Sequence, residues 1–256
     1  MAAYDFINVP DLPEAEKSNP YAKFYYEPVN KPRTEVYKAI QPGNEIDSSL
    51  GITPNQLEKL FIPNGLPHIN GYCIMPDGTG YSAINTRGHN ITPEMQKFWN
   101  GWFASNDVHY KIWLPGMHVS HKIPVIEDLG WGMMSLQMLQ QTPPSALGIN
   151  APLEDLNPNC TGCFIGSLVC SYVDNPDTEP HYIVLIHYNT RDGENVEIQT
   201  LAFTGYTIRN GEFKRMIPDG AQVDLEKVRL IACHNAYEFT RQFDLLPMLY
   251  KHSLTL

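Results

Sequence analysis

His181-Tyr182-Ile183-Val184-Leu185-Ile186-His187-Tyr188, the turn Arg191-Asp192-Gly193 and the run Val196-Glu197-Ile198-Gln199-Thr200-Leu201-Ala202-Phe203 decide the fold. Two runs of β-branched and aromatic residues around a short Asp-Gly turn predict paired antiparallel strands. On the first run Tyr182, Val184 and Ile186 share one face, and Ile183, Leu185 and His187 share the other. Reading outward, Asn210-Gly211 turns the chain again into a strand over 212–217. Upstream, the spans 110–114, 132–139 and 164–173 read as further strands. Downstream, Asp224 to Leu246 reads as one long helix, ended by Pro247. A meander of strands followed by one long helix predicts an α+β fold, an antiparallel sheet gripping a C-terminal helix. Such a fold leaves an elongated apolar cavity between sheet and helix, a natural small-molecule site.

The first part of the chain has a different texture. Pro10, Pro13, Pro20, Pro28, Pro32 and Pro42 interrupt any regular element, so the start reads as an extended arm with short helical pieces. Thr53-Pro54 opens a short helix with Thr at the cap and Pro at its first position. Residues 73–84 hold a turn, Pro76-Asp77-Gly78-Thr79-Gly80, between short apolar stretches, and read as a hairpin. The expected division is an N-terminal region over 1–85, with short helices and the hairpin, and a helix-grip domain over 86–256. Thr92-Pro93 begins a better helix, with Met95, Phe98, Trp99 and Trp102 on one wide aromatic stripe that reads as core.

Composition excludes several functions. The chain has 256 residues, 43% of them hydrophobic and 18% charged, enough to bury a sizeable core. A net charge of −10 argues against nucleic-acid or anionic-membrane partners, which want a basic surface. No apolar run approaches a bilayer span, and the start lacks the pattern of a signal peptide. A cytoplasmic protein is therefore expected, with two identical copies entertained as its assembly. The five cysteines read as reduced thiols. The Cys160-Thr161-Gly162-Cys163 spacing occurs in zinc and redox sites, but without a second such pair it reads as a loop with two ordinary thiols.

His234 and Glu238 lie four residues apart on the predicted helix, so an imidazole and a carboxylate leave the same face. Alone, such a pair is more often a surface contact. Cys233 points about 100° away from His234 and should not join it. Upstream, Trp113-Leu114-Pro115-Gly116-Met117-His118-Val119-Ser120-His121 places two further imidazoles near Glu127. Two imidazoles and two carboxylates suit a divalent metal such as Zn²⁺. On an extended segment His118 and His121 point to opposite faces, so one of them is expected to face the metal. Asp128, adjacent to Glu127, reads as a surface acid.

A set of motifs in order carries a resemblance. His89-Asn90-Ile91-Thr92-Pro93-Glu94-Met95, then Phe98-Trp99-Asn100-Gly101-Trp102-Phe103, then Tyr110-Lys111-Ile112-Trp113-Leu114-Pro115-Gly116-Met117-His118 come first. Ile126-Glu127-Asp128-Leu129-Gly130, the strand ending in His187 and the helical His234/Glu238 pair follow. Together, over roughly 85–245, they resemble the diacetylphloroglucinol hydrolase/phloretin hydrolase family. The resemblance implies a Zn²⁺ enzyme with a helix-grip domain that hydrolyses the carbon–carbon bond between an acyl group and a phloroglucinol-type ring. It implies His118, His234 and Glu238 as metal ligands, with Glu127 as the fourth and Glu154 as the fallback. His118 and Glu127 stand nine positions apart, closer than in that family, which implies a trimmed loop. Tyr110 matches a tyrosine that contacts phenolic oxygens; His187 and Tyr206 look like polar cavity groups, and His121 is a candidate for substrate contact.

An aryl carbanion is a very poor leaving group. A polyhydroxylated ring avoids it by tautomerising to a keto form, so that cleavage becomes a retro-Claisen step. Such a site needs donors for the ring hydroxyls and acid/base groups, which Tyr110, His121 and His187 could supply. Two other readings stand beside this one. A non-catalytic helix-grip carrier of aromatic molecules needs the cavity and no convergent ligands, while a metal-dependent hydrolase of another β-diketone keeps the ligands and drops the phenol contacts.

Overall fold

The computed structural model describes residues 9–66, 69–129, 133–172 and 180–256. Eight strands form one antiparallel sheet in the order β1-β2-β8-β7-β6-β5-β4-β3. They are β1 (Gly71–Ile74), β2 (Gly80–Gly88), β3 (His118–Lys122), β4 (Val125–Leu129), β5 (Met133–Gln141), β6 (Cys160–Tyr172), β7 (His181–Asp192) and β8 (Asn195–Thr204). A separate ribbon pairs β9 (Tyr206–Arg209) with β10 (Glu212–Arg215). The short helices are α1 (Glu14–Lys17), α2 (Thr34–Ala39), α3 (Pro93–Trp102), α4 (Asp107–Trp113) and α5 (Leu153–Leu156), and α6 (Leu225–Ser253) closes the fold. The α+β class and the long C-terminal helix on an antiparallel sheet are as the sequence predicts.

The sheet is covered on both sides, which is why β7 is apolar on both faces. Val184, Ile186 and Tyr188 pack with Leu57, Leu60, Phe61, Leu201 and Phe203 on one side. Ile183, Leu185 and His187 turn to the other side, toward α6. Two glycines of β2 set the distance to that helix. A Cβ on Gly80 would lie 2.3 Å from Val228, and one on Gly88 would lie 2.4 Å from Phe243. Their missing side chains let α6 settle along the strand.

Three sequence expectations are corrected. The span 110–114 is not a strand but the end of α4, whose Asn106 cap accepts a hydrogen bond from the His109 N–H at 3.0 Å. Tyr, Ile and Trp favour strands, yet Val108/Ile112 and His109/Trp113 repeat at helical spacing, and all four are buried. Pro247 does not end α6, which continues to Ser253. Proline costs a helix interior about 3 kcal/mol, offset here by full burial of Leu246 and Leu249 and by Tyr250 packing on Phe98. Finally, the expected boundary between residues 85 and 86 falls inside β2, which pairs with β8 from Gly80 to Gly88. The hairpin therefore belongs to the main sheet.

The proline-rich arm is tied down rather than loose. Arg241, fully buried on α6, donates to the carbonyls of Phe24 at 2.9 Å, Glu27 at 2.7 Å and Pro28. Lys111 pairs with Glu16 at 2.6 Å. The arm is thus held by polar contacts to both α6 and α4.

Candidate metal centre

One turn of α6 and the start of β3 meet at the centre of the molecule. His234 and Glu238 project from one face of α6, and His118 opens β3. Their nearest ligand atoms all lie within 4.8 Å of one another, the one such grouping among the described residues. His118 Nε2 is 3.4 Å from His234 Nε2 and 3.5 Å from Glu238 Oε1. His234 Nε2 is 3.9 Å from the other oxygen of Glu238. The backbone carbonyl of Tyr110, 3.1 Å from His118 Nδ1, fixes the proton there and turns the Nε2 lone pair inward. Trp113 donates from Nε1 to the Glu238 carbonyl at 2.9 Å and locks α4 against this turn of α6.

The electrostatics of the cluster suit a cation. Burial lowers His118 and His234 to about 4, so both imidazoles are neutral at physiological pH. Burial also raises Glu238 to about 7, with His234 beside it offsetting part of the rise. Two neutral Nε2 acceptors beside a carboxylate form a donor set that a divalent ion such as Zn²⁺ would satisfy. The residues present fit such a group.

Beside the cluster lies a cavity of about 310 Å³, walled mainly by apolar and aromatic side chains of α3, α4, α6 and the inner sheet face. Tyr110 is buried on its wall and donates to Asp128 Oδ1 at 2.9 Å. Burial and the adjacent Asp128 raise the Tyr110 hydroxyl well above its ordinary value, and burial raises Asp128 to about 6. His187 also lines the cavity, with Nδ1 3.1 Å from Thr200 Oγ1, and burial lowers it to about 3. Asn235, next to His234, presents a buried side-chain N–H₂ without a partner.

His118 and His121 are three residues apart, yet both face this side. A bulge between His118 and Ser120 allows it: His118 pairs with Asp128, whereas Ser120 already pairs with Glu127. The extra residue, Val119, restores the same face for His121. His121 lines the cavity, its ring 5.0 Å from that of Tyr110, and stays outside the ligand cluster.

The acid on β4 is corrected as well. Glu127 is exposed and turned away, while Asp128 is 2 % exposed and faces the cavity with Ile126. Strand alternation carries the signal: once Ile126 is placed in the core, Asp128 follows it and Glu127 does not. Glu154 sits exposed on α5. Tyr206 lies away from the cavity on β9, where its hydroxyl donates to Asp77 at 2.6 Å and its ring packs on Phe213. Among the described residues no cysteine joins the ligand cluster, although Cys170 lines the cavity. Cys233 packs toward Ile40 behind the helix, and burial pushes it and Cys163 up to about 12.

Comparison with known proteins adds an independent finding. The family model described as the DAPG hydrolase PhiG domain matches residues 52–251. The 2,4-diacetylphloroglucinol hydrolase of Pseudomonas protegens is 25% identical over 107 residues, 42% of this chain and 35% of that protein. The match thus spans about a third of the relative's length. The phloretin hydrolase of Eubacterium ramulus is 25% identical over 264 residues, covering 93% of this chain and 91% of its own. Among solved structures, the Mll3558 protein of Rhizobium loti aligns with 64% of this chain and 98% of its own at 13% identity and a TM-score of 0.33.

Proposed function

Because the chain belongs to the DAPG hydrolase PhiG domain family, we propose that it is a zinc-dependent hydrolase. Its reaction is cleavage of the carbon–carbon bond between an acyl group and a phloroglucinol-type ring, as in phloretin or an acetylphloroglucinol. The observation that carries this reading is the convergence of His118, His234 and Glu238 beside an aromatic-walled cavity. A carrier needs only the cavity; the three convergent donors favour an enzyme.

The ligands we assign are His118, His234 and Glu238, with Asp128 rather than Glu127 as the nearby second acid. Zn²⁺ bound there would supply Lewis acidity for the acyl carbonyl and a water of lowered pKa. The remaining work falls to the chain's own residues. Tyr110 and Asp128 form a donor–acceptor pair that would bind a ring hydroxyl and hold the keto tautomer's proton balance. To His187, neutral and braced by Thr200, we assign the passing of a proton between water and the ring carbon. His121 and Asn235 are further polar contacts for the ring. Water's hydroxyl ends on the acyl carbon and its hydrogen on the ring carbon, giving a carboxylic acid and the deacylated phenol. The apolar walls keep other water out.

No helix among the described residues is long and apolar enough to cross a membrane. A cytoplasmic site of action and a homodimeric assembly belong to the same proposal. The test is metal analysis of the purified protein joined to product detection with phloretin and acetylated phloroglucinols. About one zinc per chain with release of phloroglucinol is expected. Absence of bound metal, with no turnover restored by added Zn²⁺, overturns the reading.

A further inference from the structure

The cavity carries polar groups at two levels. At the first stand the metal ligands with Tyr110, Asp128 and His187. One turn further along α6, about 6 Å at 1.5 Å per residue, Gln242 follows Glu238 on the cavity side and is 5 % exposed. That turn crosses the sheet at the level of Arg191: Phe243 packs over Gly88, Gly88 pairs with Val196, and Val196 pairs with Arg191. Asn189 reaches the same level, two positions beyond His187 on the same face of β7. Its Oδ1 is buried without a partner. Gln96 on α3 completes the group. Its Oε1 accepts from Arg191 Nη2 at 2.9 Å, which leaves Nε2 as the donor it can offer the cavity. These carboxamides, walled by Trp99 and Ile198, bring donors and acceptors but no charge. An apolar occupant would leave Asn189 Oδ1 unsatisfied, and an anion would meet no cation on this stretch of wall. A neutral hydroxyl, which both donates and accepts, satisfies the set.

Resting on the hydrolase reading above, we infer that Asn189, Gln96 and Gln242 form a specificity site for the ring hydroxyl para to the acyl group. The one-turn separation from Glu238 matches the span from an acyl carbon across a benzene ring to its para oxygen. Asn189 Oδ1 takes the hydrogen of that hydroxyl, and the Gln96 and Gln242 amides donate to its oxygen. The site therefore demands a free hydroxyl. An alkoxy group keeps the oxygen and loses the hydrogen, and a bare C–H loses both, so each leaves a buried amide unpaired.

The test uses probes that cannot be hydrolysed, with an ethyl group where the acyl group would stand. They are 2-ethylphloroglucinol, its methyl ether at the oxygen opposite the ethyl group, and 2-ethylresorcinol. All keep the hydroxyls that flank the ethyl group and differ only opposite it. Calorimetric titration of the purified full-length protein is expected to show the triol binding about tenfold more tightly than either of the others, the worth of one buried hydrogen bond. In Asn189→Leu and in Gln242→Met that preference collapses toward unity. Should a variant fold poorly, the wild-type protein still decides, because an ether or a resorcinol bound as tightly as the triol overturns the inference. A tenfold preference that survives in both folded variants overturns it too, since the hydroxyl is then read elsewhere. Turnover of acylphloroglucinols without this binding preference leaves the hydrolase reading standing. The binding preference without turnover of any acylphloroglucinol does the reverse.

Discussion

The phenol ring of Tyr110 lies flat on the imidazole of His118, with centroids 3.9 Å apart and planes within 2°, while its hydroxyl donates to Asp128. One side chain thus orients a metal-ligand candidate and donates its hydroxyl hydrogen to a buried acid. Tyr110→Phe separates the two roles, because the ring stays and the hydroxyl goes. Metal content is expected to remain at the wild-type level. The value of kcat/KM should fall by roughly 10²-fold, the scale of one lost proton-transfer or ring contact. Asp128 loses its donor, so stability falls by about 1–3 kcal/mol. Metal analysis, steady-state kinetics and urea unfolding read the three effects separately.

The two neighbouring acids on β4 give a sharper contrast. Asp128 faces the cavity and Glu127 faces solvent. Asp128→Asn should lower kcat/KM by about tenfold or more, whereas Glu127→Gln should leave stability within about 0.5 kcal/mol. Parallel kinetics on both variants check this. A large loss from Glu127→Gln with none from Asp128→Asn would reverse the assignment of the second acid.

The fold and the site were legible to different depths. The meander and α6 were open to reading because β-branched and aromatic runs around a turn over 181–203 and helical spacing over 224–246 are local patterns. The His234/Glu238 pair followed from the same helical period. Asp128 was hidden because its orientation depends on which face of β4 is buried. The shared side of His118 and His121 depends on a bulge at Val119, and no local pattern announces a bulge. Residues 110–114 misled because their strand-forming side chains outweigh a cap that lies four residues upstream, at Asn106. Tyr206 was placed by its order in the chain, and the turn at Gly205 carries it onto the separate ribbon.

The convergence of His118, His234 and Glu238 makes stability depend on the metal. Without a cation the fold holds two imidazoles unable to gain protons and a carboxyl raised to about 7. A bound ion stabilises the folded chain by mass action. Chelation should therefore lower the melting temperature, and Zn²⁺ should restore it. Glu238→Gln should carry substoichiometric metal and show a much smaller response to chelator. Differential scanning calorimetry with and without EDTA, on both proteins, measures the difference. An equal shift in both would remove Glu238 from the ligand set.

Arg241 offers a prediction remote from the chemistry. Its guanidinium lies fully buried and donates to the carbonyls of Phe24, Glu27 and Pro28, so it is one of the points where the proline-rich arm joins α6. Arg241→Met keeps much of the apolar stem and removes the donors, leaving buried carbonyls unsatisfied. A loss of about 3 kcal/mol is expected, within the range for breaking a buried charged network. The loss should begin at the arm, because the sheet and the glycine-lined contact of α6 with β2 do not involve these carbonyls. Limited proteolysis is therefore expected to cut the variant between residues 20 and 35 well before the rest of the chain. The wild-type protein should resist cleavage there. Uniform cleavage along the variant would mean that arm and sheet unfold as one unit.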